Sequence, residues 1–378
     1  MPRFSPFRGL RYAAESESLD VLIAPPYDVV SAEDRAQLVD RSEHNAIRLE
    51  LPDSYDDAAR LLAEWQRDGV LIVDETPSFY VYRMTFPAEG EGGRGRTRST
   101  TGVLGALAIG DDVLAHEHTT PKDKADRSSL LAATRANLSP IWALTPAPGL
   151  SSMLAMTTAP DAVAVEPGDV VHELWCVTDA PQIDAIAGLV ASQPALIADG
   201  HHRYEVATEF GSDALLAYVV ELADDQLAVR AIHRLVRGLP DGFDLVGAMG
   251  SHFDVSELAS VASELGATDE GLTLVTREGV WLLRPTDATA RAAAHDLDSS
   301  RLDVALSSLP PHELVFQHGI DLARAAVEKG DAQAAVLLRP ATVDQIAAIA
   351  SGGDRMPPKT TFFYPKLATG MVFRSLDL

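Results

Sequence analysis

The sequence predicts an α/β (or α+β) protein built on a mixed sheet. Short apolar runs of strand length recur along the chain, amphipathic helical stretches separate them, and one apolar run passes through a glycine directly into a helix. At 378 residues the chain is long for a single domain. After Pro240 the pattern shifts to Ala-rich helices alternating with strands. Residues 1–240 are therefore expected to form a phosphate- or nucleotide-binding catalytic core with an inserted hairpin. Residues 241–378 are expected to form a second α/β domain whose last segment could close over the site.

The elements follow in order. Ile23 to Val30, with Pro25-Pro26, reads as a stiff loop after a short strand, and Ser31 caps a helix with Asp34 at the capping-box position. Ala46 to Leu51 alternates in the manner of a strand. Asp56 to Asp68 is amphipathic, with Leu61, Leu62 and Trp65 on one face. Phe79–Phe86 and Gly102–Ile109 read as paired strands joined by a Gly- and Arg-rich hairpin tip holding Arg94, Arg96 and Arg98. Those arginines fit a phosphate clamp or plain solvated charges. Leu114 to Asn137 reads as a polar loop and helix, Ile183–Ala191 as a helix, Ala195–Ala198 as a buried strand and Arg203–Phe210 as a helix. Ala214–Leu222, Leu227–Val236, Leu272–Thr276, Val280–Arg284 and Ala334–Leu338 read as strands.

Composition excludes some roles. Lys and Arg number 31 against 55 Asp and Glu, a net charge of −24 that opposes nucleic-acid binding in the absence of a basic stripe. No apolar run is long enough to span a bilayer, the N-terminus has no secretory signal and Cys176 is the one cysteine, so a cytoplasmic location is expected. Cys176 reads as a core or near-core residue, not a nucleophile. Oligomeric state is not legible.

The richest segment is Leu196-Ile197-Ala198-Asp199-Gly200-His201-His202-Arg203-Tyr204-Glu205. Glycine permits the sharp bend from strand to helix. The free N–H groups and positive dipole end of the first helical turn favour an anion. Arg203 suits phosphate oxygens, His201 and His202 can donate hydrogen bonds or move protons, and Asp199 can orient a histidine or hold a metal-bound water. The plainer alternative is a capped helix start with surface histidines. Neither a Walker A loop nor a Rossmann fingerprint is present.

The run Ala198 to Glu205 resembles the hallmark of domain of unknown function 1015. Further matching stretches are Ala24 to Val29, His116-Glu117-His118-Thr119 with Lys124 to Arg127, Ile232-His233-Arg234 and Pro357 to Lys366. More remotely, strand-Asp-Gly-His-His-Arg-helix is similar to the phosphate-binding segment of the ParB/sulfiredoxin-like superfamily, which includes free-serine kinases. That resemblance implies that Gly200, His201, His202 and Arg203 hold nucleotide or product phosphates, and that free serine is a candidate acceptor.

Other candidates lie along the chain. His116 and Glu117 could serve as proton donor and base beside the cations Lys124 and Arg127, or belong to a solvated loop; zinc binding by His116 and His118 would need a third ligand. Asp28, after Tyr27, suits a general base or a Mg²⁺ contact, or merely caps a turn. Tyr27, Asn45 and Arg48 are candidate acceptor contacts. His233 and Arg234 are candidate phosphate contacts or an edge-strand pair. Lys359 and Lys366 bracket aromatic residues and two hydroxyls, as a lid or as a packed terminal strand. The leading expectation is phosphoryl transfer between a nucleotide (ATP or ADP), with Mg²⁺, and a small hydroxyl compound. A phosphatase acting on a compound such as phosphoserine and a non-catalytic nucleotide-binding module are the competing readings.

Overall fold

The structure, a computed structural model, describes residues 1–14, 16–88, 96–115, 121–258, 271–352, 354 and 356–378. Contacts divide it into two compact units: Met1–Ala228 with Pro365–Leu378, and Val229–Tyr364. The chain thus returns to the first unit for its last fourteen residues.

The first unit is organised on a nine-stranded sheet. Its central strands run Ala195–Asp199, Ile141–Thr145, Ala214–Glu221, Thr97–Ala108, Phe79–Pro87, Val170–Val177 and Ala162–Glu166 in spatial order. Ala214–Glu221 is parallel to Ile141–Thr145 and Ala195–Asp199 is parallel to Val113–Ala115, whereas the other pairings are antiparallel, so the sheet is mixed. Strand geometry sends alternate side chains to opposite faces. Leu215, Ala217 and Val219 accordingly enter one core with Phe4, Phe79 and Trp175. On the other face Tyr218 packs edge-on against Tyr82 and Trp142, with ring centroids 5.5 and 5.3 Å apart. Burying each such ring stabilises the fold by roughly 1.5–3 kcal/mol. A second core, with Leu10, Leu22, Ile47, Leu62 and Trp65, unites the N-terminal helices with Phe373.

The second unit holds a six-stranded sheet whose described pairings are all antiparallel. Ala334–Leu337 is an unbroken apolar run because both its faces are covered: Ala334 and Val336 join one cluster, Ala335 and Leu337 the other.

The mixed α/β class read from the sequence is the observed one, and the paired strands, the Ser31 capping box and the helix Tyr55–Arg67 are present. Three local expectations fail. The element before the Ile23–Val30 loop is the short helix Leu19–Leu22, capped by Ser18, and not a strand. Ala46–Leu51 is not a strand; Ile47–Glu50 is a short helix, opened by the Asn45 side chain accepting from the Ile47 amide at 2.9 Å. The alternation of Ile47, Leu49 and Leu51 imitates a strand, but tertiary burial decides the conformation. Leu227–Val236 is interrupted, giving Ala228–Arg230 and Ile232–Arg237. Among the described residues no helix is long and apolar enough to cross a membrane.

Candidate anion-binding site

The site grows from the end of the strand Ala195–Asp199. Four apolar residues are buried in the sheet, and Asp199 is the first side chain to leave it. Gly200 follows with φ +91° and ψ 27°, left-handed backbone that costs a residue with a Cβ. A Cβ at Gly200 would also lie 2.9 Å from Ile141 Cγ2 and 3.0 Å from Arg203 Nε. The helix His201–Glu209 then begins without a side-chain cap, leaving the first-turn N–H groups without that competitor. Tyr204 fixes the helix by donating to the Gly110 carbonyl at 3.1 Å.

Asp199 is the electrostatic centre. Arg203, one turn on, donates to Asp199 Oδ2 at 2.8 Å and to the Pro140 carbonyl through its other terminal nitrogen. Lys366 Nζ donates to Asp199 Oδ1 and lies 3.7 Å from Asp28 Oδ2. Burial pushes the Asp199 carboxyl up, but Lys366 and Arg203 outweigh it and hold the acid well below the ordinary carboxylate range, with His201 adding to the effect. Burial also pulls the Lys366 ammonium down; Asp199 and Asp28 reverse this and hold it above its usual value. Arg203 is held up in the same way by Asp199, Tyr27, Asp28 and Glu50 against burial. These groups therefore stay charged at neutral pH.

Backbone pairing explains how residues so distant in sequence meet. Ala24 and Thr369 exchange amide hydrogen bonds of 3.0 and 2.8 Å, and Leu10 and Phe373 exchange two of 2.9 Å. The terminal segment is thereby laid along the N-terminal one, which brings Lys366 to the short 3₁₀ turn Tyr27–Val29. Tyr27 stacks under Arg127, whose guanidinium carbon is 4.2 Å from the ring centroid. Burial pushes the Tyr27 phenol up to about 12, so it remains a neutral donor. Arg127 is itself buried and donates to Glu50 Oε1 at 3.3 Å, to the Glu50 carbonyl at 3.1 Å and to Asp126 at 2.5 and 2.8 Å.

Tyr27, Asp28, Arg127, Asp199, Gly200, His201, Arg203 and Lys366 thus belong to one neighbourhood. His202 is the second residue of the same helix and is half-buried. Other sequence candidates have different partners. Lys124 pairs with Glu209 at 2.6 Å and Glu205 at 3.1 Å. Asn45 is fully buried and donates to the Val21 and Ile23 carbonyls, and Arg48 donates to the Ser42 and Val39 carbonyls. Arg98 donates to the Asp224 and Leu227 carbonyls, and Arg96 is exposed. In the second unit His233 and Arg234 are buried. His233 Nδ1 accepts from the Leu338 amide at 3.2 Å, and Arg234 donates to the Ile232 carbonyl at 2.7 Å. Lys359 is exposed there, in a turn at φ +56°. His116, Glu117, His118 and Arg94 lie outside the described residues.

Sequence reading missed Glu50. It is 2% exposed, and its one local signal is a charge set among buried Ile47 and Leu49. Cys176 is partly buried, and burial pushes its thiol up to about 12, which leaves it protonated and unreactive at neutral pH.

A mixed α/β protein with an uncapped helix start, a left-handed glycine before it and two cations held on a half-buried aspartate is the class that this fold and site define. The chain belongs to the family described as protein of unknown function (DUF1015), whose model matches residues 4–305. Among solved structures it is similar to a conserved hypothetical protein from Pyrococcus furiosus, at 15% identity and TM-score 0.42, over 71% of this chain and 93% of that one. It is also similar to a free serine kinase in complex with AMP, at 15% identity and TM-score 0.40, over 69% of this chain and 89% of that one. A third is C-terminally truncated SbnI from Staphylococcus aureus, at 14% identity and TM-score 0.40, over 70% and 85%. No curated protein matches the chain.

Proposed function

We propose that this chain is a phosphotransferase moving a phosphoryl group between a nucleotide and a small hydroxyl compound, with free serine the first acceptor to test. The observation behind the reading is the meeting of Lys366, Arg203 and Asp28 at the uncapped start of His201–Glu209. Phosphoryl transfer asks for positioning and charge neutralisation more than for covalent help. Lys366 and Arg203 supply fixed positive charge, and the Gly200–His202 backbone supplies N–H donors. His201 and His202 add donors. Asp28, the most exposed carboxylate of the group, is the base for the acceptor hydroxyl. Serine as acceptor is supported by the resemblance of the Asp199–Arg203 run, and AMP- or ADP-bound free serine kinases are among the similar structures.

Among the described residues no group of three or more His, Cys, Asp or Glu could hold a metal. Mg²⁺ fits this chain as an ion that would arrive on the nucleotide phosphates, where it would neutralise charge.

The test is nucleotide consumption by the purified full chain with serine, with and without Mg²⁺, alongside phosphoserine without nucleotide. Serine-dependent turnover supports the kinase. Phosphate release from phosphoserine alone would replace it with a phosphatase. Tight ADP binding with no turnover would leave a nucleotide-binding module.

A further inference from the structure

The second unit holds a cleft of about 630 Å³ beyond the end of the strand Ile232–Arg237, at the tip of the hairpin formed by Leu272–Thr276 and Val280–Pro285. That volume lies within the roughly 300–1,000 Å³ usual for small-molecule sites. Phe243 and Trp281 are its aromatic lining, and Asp244, Arg277 and Glu278 its charged lining. Of the chain's four tryptophans, Trp65, Trp142 and Trp175 are buried, whereas Trp281 stays partly exposed. A partly exposed indole in a cleft that also holds a phenyl ring suits a flat apolar group.

The three charges differ in how far the protein already uses them. Asp244 caps a short helix, accepting from the Gly247 amide at 2.8 Å. Glu278 accepts from the Thr276 hydroxyl at 2.6 Å; that bond first, then its own backbone amide and Arg277, holds its carboxyl below the usual range. Arg277 donates through Nε to the Val327 carbonyl at 3.4 Å, in the last turn of Ile320–Lys329, where the helix dipole is negative. Its guanidinium rests against Gly330, at φ +83°, where a Cβ would collide with it. Backbone thus holds the arginine in place, and among the described residues no carboxylate lies within ion-pair distance of it. Arg277 and Glu278 are chain neighbours of opposite sign that feel each other without pairing.

Such a couple fits a guest that carries both signs. An α-amino acid presents a carboxylate and an ammonium on one carbon, the first for the guanidinium fork and the second for a carboxylate. A polyphosphate would meet one cation against two carboxylates, and a plain hydrocarbon would leave Arg277 unused. We infer that this cleft binds a free α-amino acid with an aromatic side chain, its carboxylate on Arg277, its ammonium on Glu278 and its ring against Trp281 and Phe243. The site belongs to the second unit and does not depend on the phosphotransferase reading.

The test titrates the full chain by ligand-observed NMR with four probes: L-phenylalanine, 3-phenylpropionate (no ammonium), phenethylamine (no carboxylate) and L-alanine (no ring). L-Phenylalanine is expected to bind at least tenfold more tightly than each of the others, the order expected of one charge-assisted bond or one buried ring. It should also change the tryptophan emission, and Trp281→Phe should abolish that change. Arg277→Gln is expected to weaken L-phenylalanine and 3-phenylpropionate about tenfold and leave phenethylamine no weaker. Glu278→Gln is expected to weaken L-phenylalanine and phenethylamine about tenfold and leave 3-phenylpropionate no weaker. Both residues are exposed, so these variants keep the fold. No binding of L-phenylalanine, binding of any other probe as tight as L-phenylalanine's, or variants that weaken all probes alike would each overturn the inference, whatever the chain does with nucleotides.

Discussion

Replacing Lys366 with methionine is the sharpest perturbation of the proposed site. In the native protein Lys366 neutralises two carboxylates, Asp199 in direct contact and Asp28 at 3.7 Å. The second contact alone corresponds to about 4 kcal/mol at an effective dielectric near 20, before the cost of desolvating the ammonium. Breaking one partner out of a fully buried pair costs about 3–5 kcal/mol, and this half-buried pair is expected to lose less. Arg203 stays on Asp199 at 2.8 Å and softens the loss. The expected destabilisation is therefore roughly 2–4 kcal/mol, or on the order of 5–15 °C in the first unit's melting temperature. Binding of ADP should weaken by about 10–100-fold, because one charge-assisted hydrogen bond contributes about 1.5–3 kcal/mol. Differential scanning calorimetry and titration calorimetry read the two quantities, with the exposed Lys329→Met as control. The stability gap also has a definite pH dependence. Asp199 titrates below its unfolded value, so the stability it lends is complete above about pH 4 and is lost as pH falls further toward its folded value. Wild type and variant should converge in that acid range. A variant that melts with wild type and binds ADP within twofold of it would refute the electrostatic account of the site.

Three further outcomes are expected. Gly200→Ala forces a Cβ onto left-handed backbone 2.9 Å from Ile141 Cγ2, so it should cost roughly 1–3 kcal/mol in chemical denaturation and weaken ADP binding more than Gly211→Ala does. Gly211 also has positive φ but meets no atom within 4 Å, which separates strain from crowding. His233 is held neutral, with burial pulling it down from 6.5 to about 4, so the second unit should lose stability between those values as pH falls, and His233→Gln should flatten that loss in a melting-temperature profile. Cys176 should react with iodoacetamide at a rate that keeps rising up to about pH 12; a plateau near pH 9 would contradict the burial that raises its pKa.

What the sequence determined by itself was local. Four apolar residues, an aspartate, a glycine and a polar helix start within a dozen positions require a strand, a left-handed bend and an anion-receptive first turn, because each depends on nearest-neighbour backbone geometry alone. The Ser31–Asp34 capping box was legible for the same reason. The rest was decided by tertiary structure. Lys366 and Asp28 are separated by most of the chain, and the pairing of Ala24 with Thr369 and of Leu10 with Phe373 makes them neighbours. Glu50 sits in an alternating segment that reads as a strand; burial of Ile47 and Leu49 and the Ile47 N–H bond to the Asn45 side chain make it a helix and turn the carboxylate toward Arg127. Charges have no periodicity that reveals their partners, since a buried ion pair is set by whichever distant segment the core brings against it.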